Sequence, residues 1–317
     1  MTIDLKRTAE LLTENDCFVI LCHASPDGDT LGGAYALCGA LQKMQKRARV
    51  IVPEAPSPRF DYLLDGIEEQ EFSEGFIVTV DVADKALLGD YEKSHGDRVD
   101  LCIDHHVSNT GYAMNLLLES EASSACETVL RVIKQLGGLR GKDLVDANIA
   151  ACLYTGLSTD TGCFKFANTN TASHYNAAEL FKYGFDSAKL NYLLFEMRTP
   201  ERLVLEKRAL ESVEYYFDKK CAVITLTADI MTGADEEDLN AVSALPRQID
   251  GVELGVTFKE KAPGVWKVSL RSNNYVNSQV ICANLGGGGH KRAAGCRIKG
   301  SISECKQKVL KEIENYI

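Results

Sequence analysis

Four short segments rich in Asp and His each close an apolar run in this chain, and no other feature limits its fold so tightly. They are His23-Ala-Ser-Pro-Asp27-Gly-Asp29, Val80-Asp81, Ile103-Asp104-His105-His106 and Ser158-Thr159-Asp160-Thr161-Gly162. The runs before the first three, residues 17–22, 76–80 and 99–103, are short and almost continuously apolar, as strands buried on both faces are. Parallel strands that end in carboxylates and imidazoles put those groups along one edge, where α/β proteins bind ligands. Mixed Asp and His donors at such an edge suit two adjacent divalent ions.

Between predicted strands at 17–22 and 49–52, Leu31, Tyr35, Leu37, Leu41 and Met44 recur at roughly helical spacing. Strand, helix, strand is a parallel crossover, expected to be right-handed. After the Asp-His-His segment the pattern turns helical at about 123–135, 142–156 and 172–183, with Gly137-Gly138 as the expected stop of the first. The run from Thr199-Pro200 to about Phe217 reads as a helix linking two domains, with an ordinary surface helix as the alternative. Strands return at 221–226, 252–259 and 265–270, and the last two flank a turn at Pro263-Gly264. Helices are expected near 235–243, 276–284 and 302–316. The expected fold class is therefore α/β. A parallel-sheet domain with helices on both faces spans 1–190, a helical linker spans 191–217, and a smaller α/β domain with a mixed sheet spans 218–317.

The chain's 317 residues suffice for two cores. A net charge of -10 argues against a protein that coats long nucleic acid, which needs many Lys and Arg to neutralise phosphates. A small anionic ligand stays compatible, because bound cations can make one site strongly positive on an acidic surface. No apolar stretch approaches the roughly 20 residues of a membrane span, and Met1-Thr2-Ile3-Asp4-Leu5-Lys6-Arg7 lacks the apolar core of a signal peptide. The expected location is cytoplasmic. The eleven cysteines include no C-x-x-C pair, and Cys22, Cys102, Cys152 and Cys221 lie inside apolar runs. Neither a disulfide framework nor a zinc ribbon is expected.

Pro26 and Gly28 enforce a tight loop that can aim His23, Asp27 and Asp29 at two points. Asp27, Asp29, Asp81 and Asp160 gathered in one cleft would repel, and some would bind protons unless cations were present. Two divalent ions bring four positive charges to four carboxylates. The donor mixture suits Mn²⁺ or another borderline transition metal better than Mg²⁺, and far better than Ca²⁺. Each segment alone has an ordinary reading: a turn and helix N-cap for 23–29, turn or loop aspartates for Asp81 and Asp160, one surface and one buried imidazole for His105 and His106. Four such segments at strand or helix ends make coincidence a weak account.

The order His-x-x-Pro-Asp-Gly-Asp, Val-Asp, Asp-His-His and Thr-Asp-Thr-Gly resembles that of the DHH phosphoesterases. Gly286-Gly287-Gly288-Gly289-His290-Lys291-Arg292-Ala293-Ala294-Gly295 resembles the glycine-rich signature of the DHH-associated type 1 C-terminal domain. The resemblance spans almost the whole chain. It is closest to the compact nanoRNases and 3'-phosphoadenosine 5'-phosphate phosphatases, which lack the added regions of larger cyclic-dinucleotide phosphodiesterases. It implies two divalent ions, Mn²⁺ foremost. His23, Asp27 and Asp81 would hold one ion, and Asp29, Asp81, His105 and Asp160 the other, with Asp81 bridging. His106 becomes a phosphate-facing catalytic group and Asp104 a residue that orients an imidazole. Gly32-Gly33 stands where the family often has Gly-Ser, and Val107 where Pro is frequent; both lie outside the implied ligands.

The amides of Gly287, Gly288 and Gly289 could approach an anion closely, or the run could form a flexible turn. The resemblance favours substrate binding there, with His290. Arg271, ending a predicted strand, could hold a phosphate bidentately, an exposed salt bridge being the ordinary alternative. Lys291 and Arg292 read as a solvated rim. The expected activity is metal-dependent hydrolysis of short oligoribonucleotides, dinucleotides or 3'-phosphoadenosine 5'-phosphate, in a cleft whose domains close about residues 195–217. The alternatives are a cyclic or linear di-AMP phosphodiesterase, a pyrophosphatase or polyphosphatase, and a non-catalytic nucleotide sensor. The complete acidic set disfavours the sensor, and the glycine-rich signature disfavours the pyrophosphatase. The implied partners are short RNA or a small nucleotide, with no long duplex nucleic acid and no membrane; a homodimer is left open.

Overall fold

A computed structural model describes residues 1–234 and 236–317, with only the backbone of Glu236, Glu237 and His290. The chain divides into two compact units, Met1–Met197 and Arg198–Ile317. No helix among the described residues is long and apolar enough to cross a membrane.

The first unit holds five strands: β1 (Phe18–Leu21), β2 (Ala48–Ile51), β3 (Phe76–Val80), β4 (Leu101–Asp104) and β5 (Asn115–Leu118). They lie in the order β2-β1-β3-β4-β5, and every pairing is parallel. Every residue of β1, β3 and β4 is buried, which is why these stretches read as unbroken apolar runs. Chain order reverses between β1 and β3, because β2 lies on the far side of β1. A crevice opens at the carboxyl edge of a sheet where its order reverses in this way. His23 and Asp81 follow the two strands that flank the reversal, and Asp104 ends the next strand along.

The helices of this unit are α1 (Leu5–Glu14), α2 (Gly28–Lys43), α3 (Glu92–His95), α4 (Ala125–Arg140), α5 (Ala147–Asp160), α6 (Thr171–Leu180) and α7 (Ser187–Asn191). One core joins the sheet to α1, α2, α4 and α5, and a smaller one on Val19, Leu21, Ile77 and Cys102 is closed by Leu88 and Tyr91 from the turns before α3. Helices α2 and α5 meet through bare backbone. A Cβ on Gly32 would lie 2.3 Å from the Cys152 carbonyl oxygen, and one on Gly156 would lie 2.5 Å from Asp29 Oδ1. That close approach brings the first turn of α2, with Asp29, beside the last turn of α5, with Asp160. A serine or any larger residue at position 32 would push the two helices apart.

The second unit contains β6 (Glu214–Tyr216), β7 (Cys221–Leu226), β8 (Leu254–Ala262), β9 (Val265–Ser272), β10 (Gly288–His290) and β11 (Ala293–Lys299). Their order is β10-β11-β9-β8-β7-β6, antiparallel except for β7 with β8, so the sheet is mixed as expected. Its helices are α8 (Pro200–Glu211), α9 (Glu236–Val242), α10 (Ser278–Asn284) and α11 (Ile302–Ile313). Asp235, where the sequence suggested that α9 begins, lies outside the described residues.

Several boundaries differ from expectation. Helix α4 runs through Gly137-Gly138 to Arg140 and stops at Gly141, whose φ of 61° lets its N–H turn back to the Gly137 and Gly138 carbonyls. Gly137 is instead a packing glycine, since a Cβ there would sit 2.7 Å from the Lys142 carbonyl oxygen. Helix α5 starts at Ala147, capped by Asp146, and not at 142. The linking helix ends at Glu211, and the chain turns into β6. It is not free-standing: Leu205 and Ala209 of α8 pack with Ile224, Leu226, Leu239 and Val242 inside the second unit.

Gly32→Ala should destabilise the protein by about 1–3 kcal/mol through overpacking, although Ala is the better helix former. Gly138→Ala, in the same kind of backbone but with nothing within 4 Å of the added carbon, should stabilise by about 0.5–1 kcal/mol. Urea unfolding of both variants checks this; equal signs would remove the backbone contact as the cause.

Candidate metal centre

Local chain geometry places each acidic or imidazole group. Asp27 caps α2, with Oδ1 accepting the N–H groups of Asp29 (3.0 Å) and Thr30 (3.2 Å). The hydroxyl of Thr30 donates to the Val80 carbonyl at 2.8 Å, which fastens the start of α2 to the end of β3. Asp29, 1% exposed, reaches across to α4. Its two oxygens accept the N–H groups of Ala125 (2.6 Å) and Cys126 (3.0 Å) at that helix's N-terminus.

Asp81 follows β3 directly with φ 63°, a left-handed conformation that Asp tolerates better than most residues. It is 5% exposed, and its Oδ1 is buried without a hydrogen-bond partner among the described residues. Such an orphaned anionic oxygen calls for a cation. Asp160 is the last residue of α5, where the helix carbonyls make the surroundings negative; a helix C-terminus favours a cation and disfavours a lone carboxylate.

The two ligand-type imidazoles are oriented alike. His105 Nδ1 lies 3.1 Å from the Ala122 carbonyl and His23 Nδ1 lies 2.8 Å from the Ala24 carbonyl. A carbonyl only accepts, so Nδ1 carries a proton in both rings and Nε2 is the nitrogen turned toward the carboxylates. His105 Nε2 stands 3.5 Å from Asp81 Oδ1, 3.6 Å from Asp160 Oδ2 and 3.8 Å from Asp29 Oδ2. His23 Nε2 stands 3.7 Å from Asp27 Oδ1 and 3.8 Å from Asp81 Oδ2. These gaps are too long for good hydrogen bonds. They are close to the separation of about 3.0–3.6 Å between two donors that share an ion at roughly 2.1 Å. The donor atoms of His23, Asp27 and Asp81 fall within 4.8 Å of one another, as do those of Asp29, His105 and Asp160. The residues present fit two divalent ions.

His106 differs from these. Its Nδ1–H donates to Asp104 Oδ1 at 2.9 Å, and its ring packs on that of His105 with centroids 4.5 Å apart. Asp104 is fully buried and saturated: it also accepts the N–H groups of His105 (2.8 Å) and His106 (3.2 Å) and the amide of Asn109 (2.6 Å). Asn109 is a positioning residue that sequence reasoning missed, since an Asn in a short loop looks like any turn residue.

Charge follows from this crowding. Burial and the neighbouring carboxylates push Asp29 and Asp81 above the ordinary range, and burial with Asp29 pushes Asp160 up to about 7. Burial opposes a charge on His23, but Asp27 and Asp81 outweigh it and raise the imidazole to about 9. Asp104 holds the proton of His106 more tightly than usual. Burial also works against Asp27 and Asp104, yet the hydrogen bonds they accept keep both below the ordinary range.

In the second unit Arg271 stands on β9, part-buried, opposite Ala293 of β11. The glycine run is no flexible turn. Gly288 and Gly289 pair with Gly295 and Ala294 in β10 and β11. A Cβ on Gly287 would lie 2.1 Å from the Gly295 carbonyl oxygen and one on Gly289 2.6 Å from that of Ala293, so these two glycines serve close backbone packing. Only Gly288 of the three has open space around it. The side chain of His290 lies outside the described residues.

Residues 17–157 match the N-terminal domain of the DHH family, and residues 218–317 match the DHHA1 domain. A bifunctional oligoribonuclease and PAP phosphatase NrnA of Thermus thermophilus is 34% identical over 305 residues, which cover 94% of this chain and 89% of that protein. An exopolyphosphatase-related protein from Bacteroides fragilis has a crystal structure that matches with a TM-score of 0.88 at 25% identity, over 98% of this chain and 96% of that one. The fold is also that of RecJ from Thermus thermophilus in complex with Mn²⁺, at a TM-score of 0.58 and 16% identity over 99% of this chain and 55% of that one.

Metal-free protein should lose stability as pH rises. A group whose pKa is raised by folding stabilises below its unfolded value, and that stability is lost as pH climbs through the folded one. The loss therefore runs from about 3.9, the usual carboxylate value, through about 7 for Asp160 and about 9 for His23. Asp27 and Asp104 act oppositely, but only below the usual carboxylate value. Melting curves of chelator-treated protein should fall between about pH 5 and pH 9, and Mn²⁺ should restore them at the alkaline end. A flat metal-free profile would show that the carboxylates are not crowded as described.

Proposed function

The chain belongs to the DHH family, and we propose that it is a two-metal phosphoesterase that hydrolyses short oligoribonucleotides and 3'-phosphoadenosine 5'-phosphate. Four carboxylates and two imidazoles that converge from the ends of β1, β3 and β4, the start of α2 and the end of α5, with Asp81 Oδ1 buried without a hydrogen-bond partner among the described residues, carry this reading. The name of the Thermus relative supports the substrate class.

His23, Asp27 and Asp81 would hold one ion and Asp29, Asp81, His105 and Asp160 the other, Asp81 lying within reach of both imidazoles. The mixed donor set favours Mn²⁺ over Mg²⁺. When bound, the ions supply Lewis acidity that activates water and draws charge from the phosphoryl oxygens. The protein's own part is orientation. Asp104 and Asn109 fix the His106 ring through Nδ1 and leave Nε2 for a phosphoryl or leaving oxygen. Asp104 touches no substrate and is a positioning residue. Arg271 binds a second phosphate through its fork. The eleven free thiols, nine of them buried, suit a reducing cytoplasm.

Asp81→Asn keeps the left-handed backbone acceptable, so loss of activity is not confused with misfolding. It should lower Mn²⁺-dependent kcat/KM on a dinucleotide by more than about 100-fold, beyond the 10–100-fold cost of outer-sphere changes such as Asp104→Asn. Arg271→Ala should act mainly on KM. The panel of substrates is dinucleotides, 3'-phosphoadenosine 5'-phosphate, cyclic di-AMP and pyrophosphate. Faster turnover of pyrophosphate than of dinucleotides, or near-normal turnover by Asp81→Asn, would overturn the reading.

A further inference from the structure

Arg271 does not stand alone on its face of the second sheet. In β8, β9 and β11 the residues Gly255, Arg271 and Ala293 are directly opposed. Opposed residues of an antiparallel pair project from the same face with Cα atoms about 4.5–5.5 Å apart. Gly255 has no side chain, and the place of its missing Cβ is taken: a Cβ would lie 2.7 Å from Arg247 N and 3.2 Å from Arg247 Cβ. Arg247 therefore sits on the glycine beside Arg271, on the face from which Arg271 projects. Two bonds anchor the seat, from Asn273 Nδ2 to the carbonyls of Arg247 (2.7 Å) and Val252 (2.8 Å).

Neither guanidinium meets a carboxylate among the described residues. Arg247 Nη1 makes a long contact of 3.5 Å with Asn273 Oδ1, and Arg271 Nη1 one of 3.4 Å with its neighbour's carbonyl, Leu270 O. Glu253 is close in sequence and structure to Asn273 but is already saturated. It accepts the N–H groups of Asn274 (3.0 Å), Tyr275 (2.7 Å) and Val276 (2.8 Å). Asp250 is exposed and forms no ion pair with Arg247 among the described residues. Both arginines are part-buried, and burial together with the charge of Arg247 holds Arg271 below its ordinary range. Two like charges kept together with no carboxylate in contact among the described residues, in a fold that saturates the adjacent carboxylate, favour an anion from solution. Solution reaches Arg247, which lines a cavity of about 540 Å³ with Lys220, Asn274 and Tyr275 and with the carboxylates of Asp250 and Glu253, and Arg271 is itself only part-buried.

The geometry points to Arg247 and Arg271 as a two-arginine clamp for the terminal phosphate monoester of a nucleotide, with Arg247 the residue that selects a phosphorylated end over a hydroxyl end. This rests on the phosphoesterase reading for its substrate, though not for the binding itself. A monoester carries between one and two negative charges near neutral pH and three free oxygens, which two guanidinium forks can share; an internal diester carries one charge and two. Short 5'-phosphorylated oligonucleotides and 3'-phosphoadenosine 5'-phosphate both present such a group away from the bond that is cut. Arg247 thereby sets substrate preference without touching the reacting atoms.

The test is equilibrium binding of AMP and of adenosine to the full chain, alongside hydrolysis of a 5'-phosphorylated and a 5'-hydroxyl dinucleotide. Wild type should bind AMP more tightly than adenosine. Arg247→Gln should reduce that preference by about tenfold or more, the scale of a lost charge-assisted contact. The kcat/KM ratio of phosphorylated to hydroxyl dinucleotide should fall by the same factor, through KM. Arg247→Lys keeps the charge and stem but not the fork, and should fall between the two. If AMP and adenosine weaken together, or if folded Arg247→Gln and Arg247→Lys both retain the wild-type preference, the clamp is wrong. If neither dinucleotide is cleaved while the AMP preference still depends on Arg247, the clamp stands and the phosphoesterase reading falls.

Discussion

Repulsion among buried carboxylates is the constraint on which the first unit is built. Asp29 and Asp81 are 1% and 5% exposed, they face Asp27 and Asp160, and water cannot screen them. Bringing such groups together costs free energy that only protons or cations offset. The fold works to keep them together all the same. Backbone contact at Gly32 and Gly156 draws α2 onto α5, and the left-handed backbone at Asp81 turns its carboxylate into the crevice at the sheet's reversal. A fold that concentrates like charge by such means is organised around an opposite charge that it does not itself contain.

The ordinary and functional readings of these aspartates turn out to be two uses of one side chain. Asp27 is the N-cap of α2 and also stands 3.7 Å from His23 Nε2. Asp29 satisfies two amides at the start of α4 while standing 3.8 Å from His105 Nε2. A carboxylate has about four lone-pair sites, so it can hold a helix terminus and still donate to a cation. The amide bonds fix each oxygen before any ion arrives, which lowers the ordering needed at binding. Weighing a cap against a ligand as rivals therefore understates such residues.

What the sequence made legible follows from burial. Strands β1, β3 and β4 are buried throughout and stood out as apolar runs, and the groups at their ends came with them. Asp160 was placed at the end of a segment without its helical setting being clear, because a buried helix such as α5 lacks a polar stripe to mark its period. Strands β10 and β11 went unseen: Gly288-Gly289-His290 and Ala293-Ala294-Gly295 carry small residues that sheet propensity disfavours, and pairing between them supplies what propensity does not. The short strands β5 and β6 carry too little pattern to stand out in the sequence. Gly137-Gly138 misled in the opposite sense, since a glycine chosen for close packing looks the same in sequence as one chosen to end a helix.

The second unit presents the complementary electrostatic problem. Its sheet gathers Arg271 beside Gly255 and Arg247 over it, neither meets a carboxylate among the described residues, and Glu253 is spent on three backbone amides and the side-chain amide of Asn274. In a chain of net charge -10, with 45 acidic residues, part-buried arginines without a carboxylate partner among the described residues are not an accident of scarcity. The acidic cluster calls for cations and the arginine pair for an anion. Divalent ions answer the first need and a phosphate the second, so each unit is completed by a ligand charge of the opposite sign.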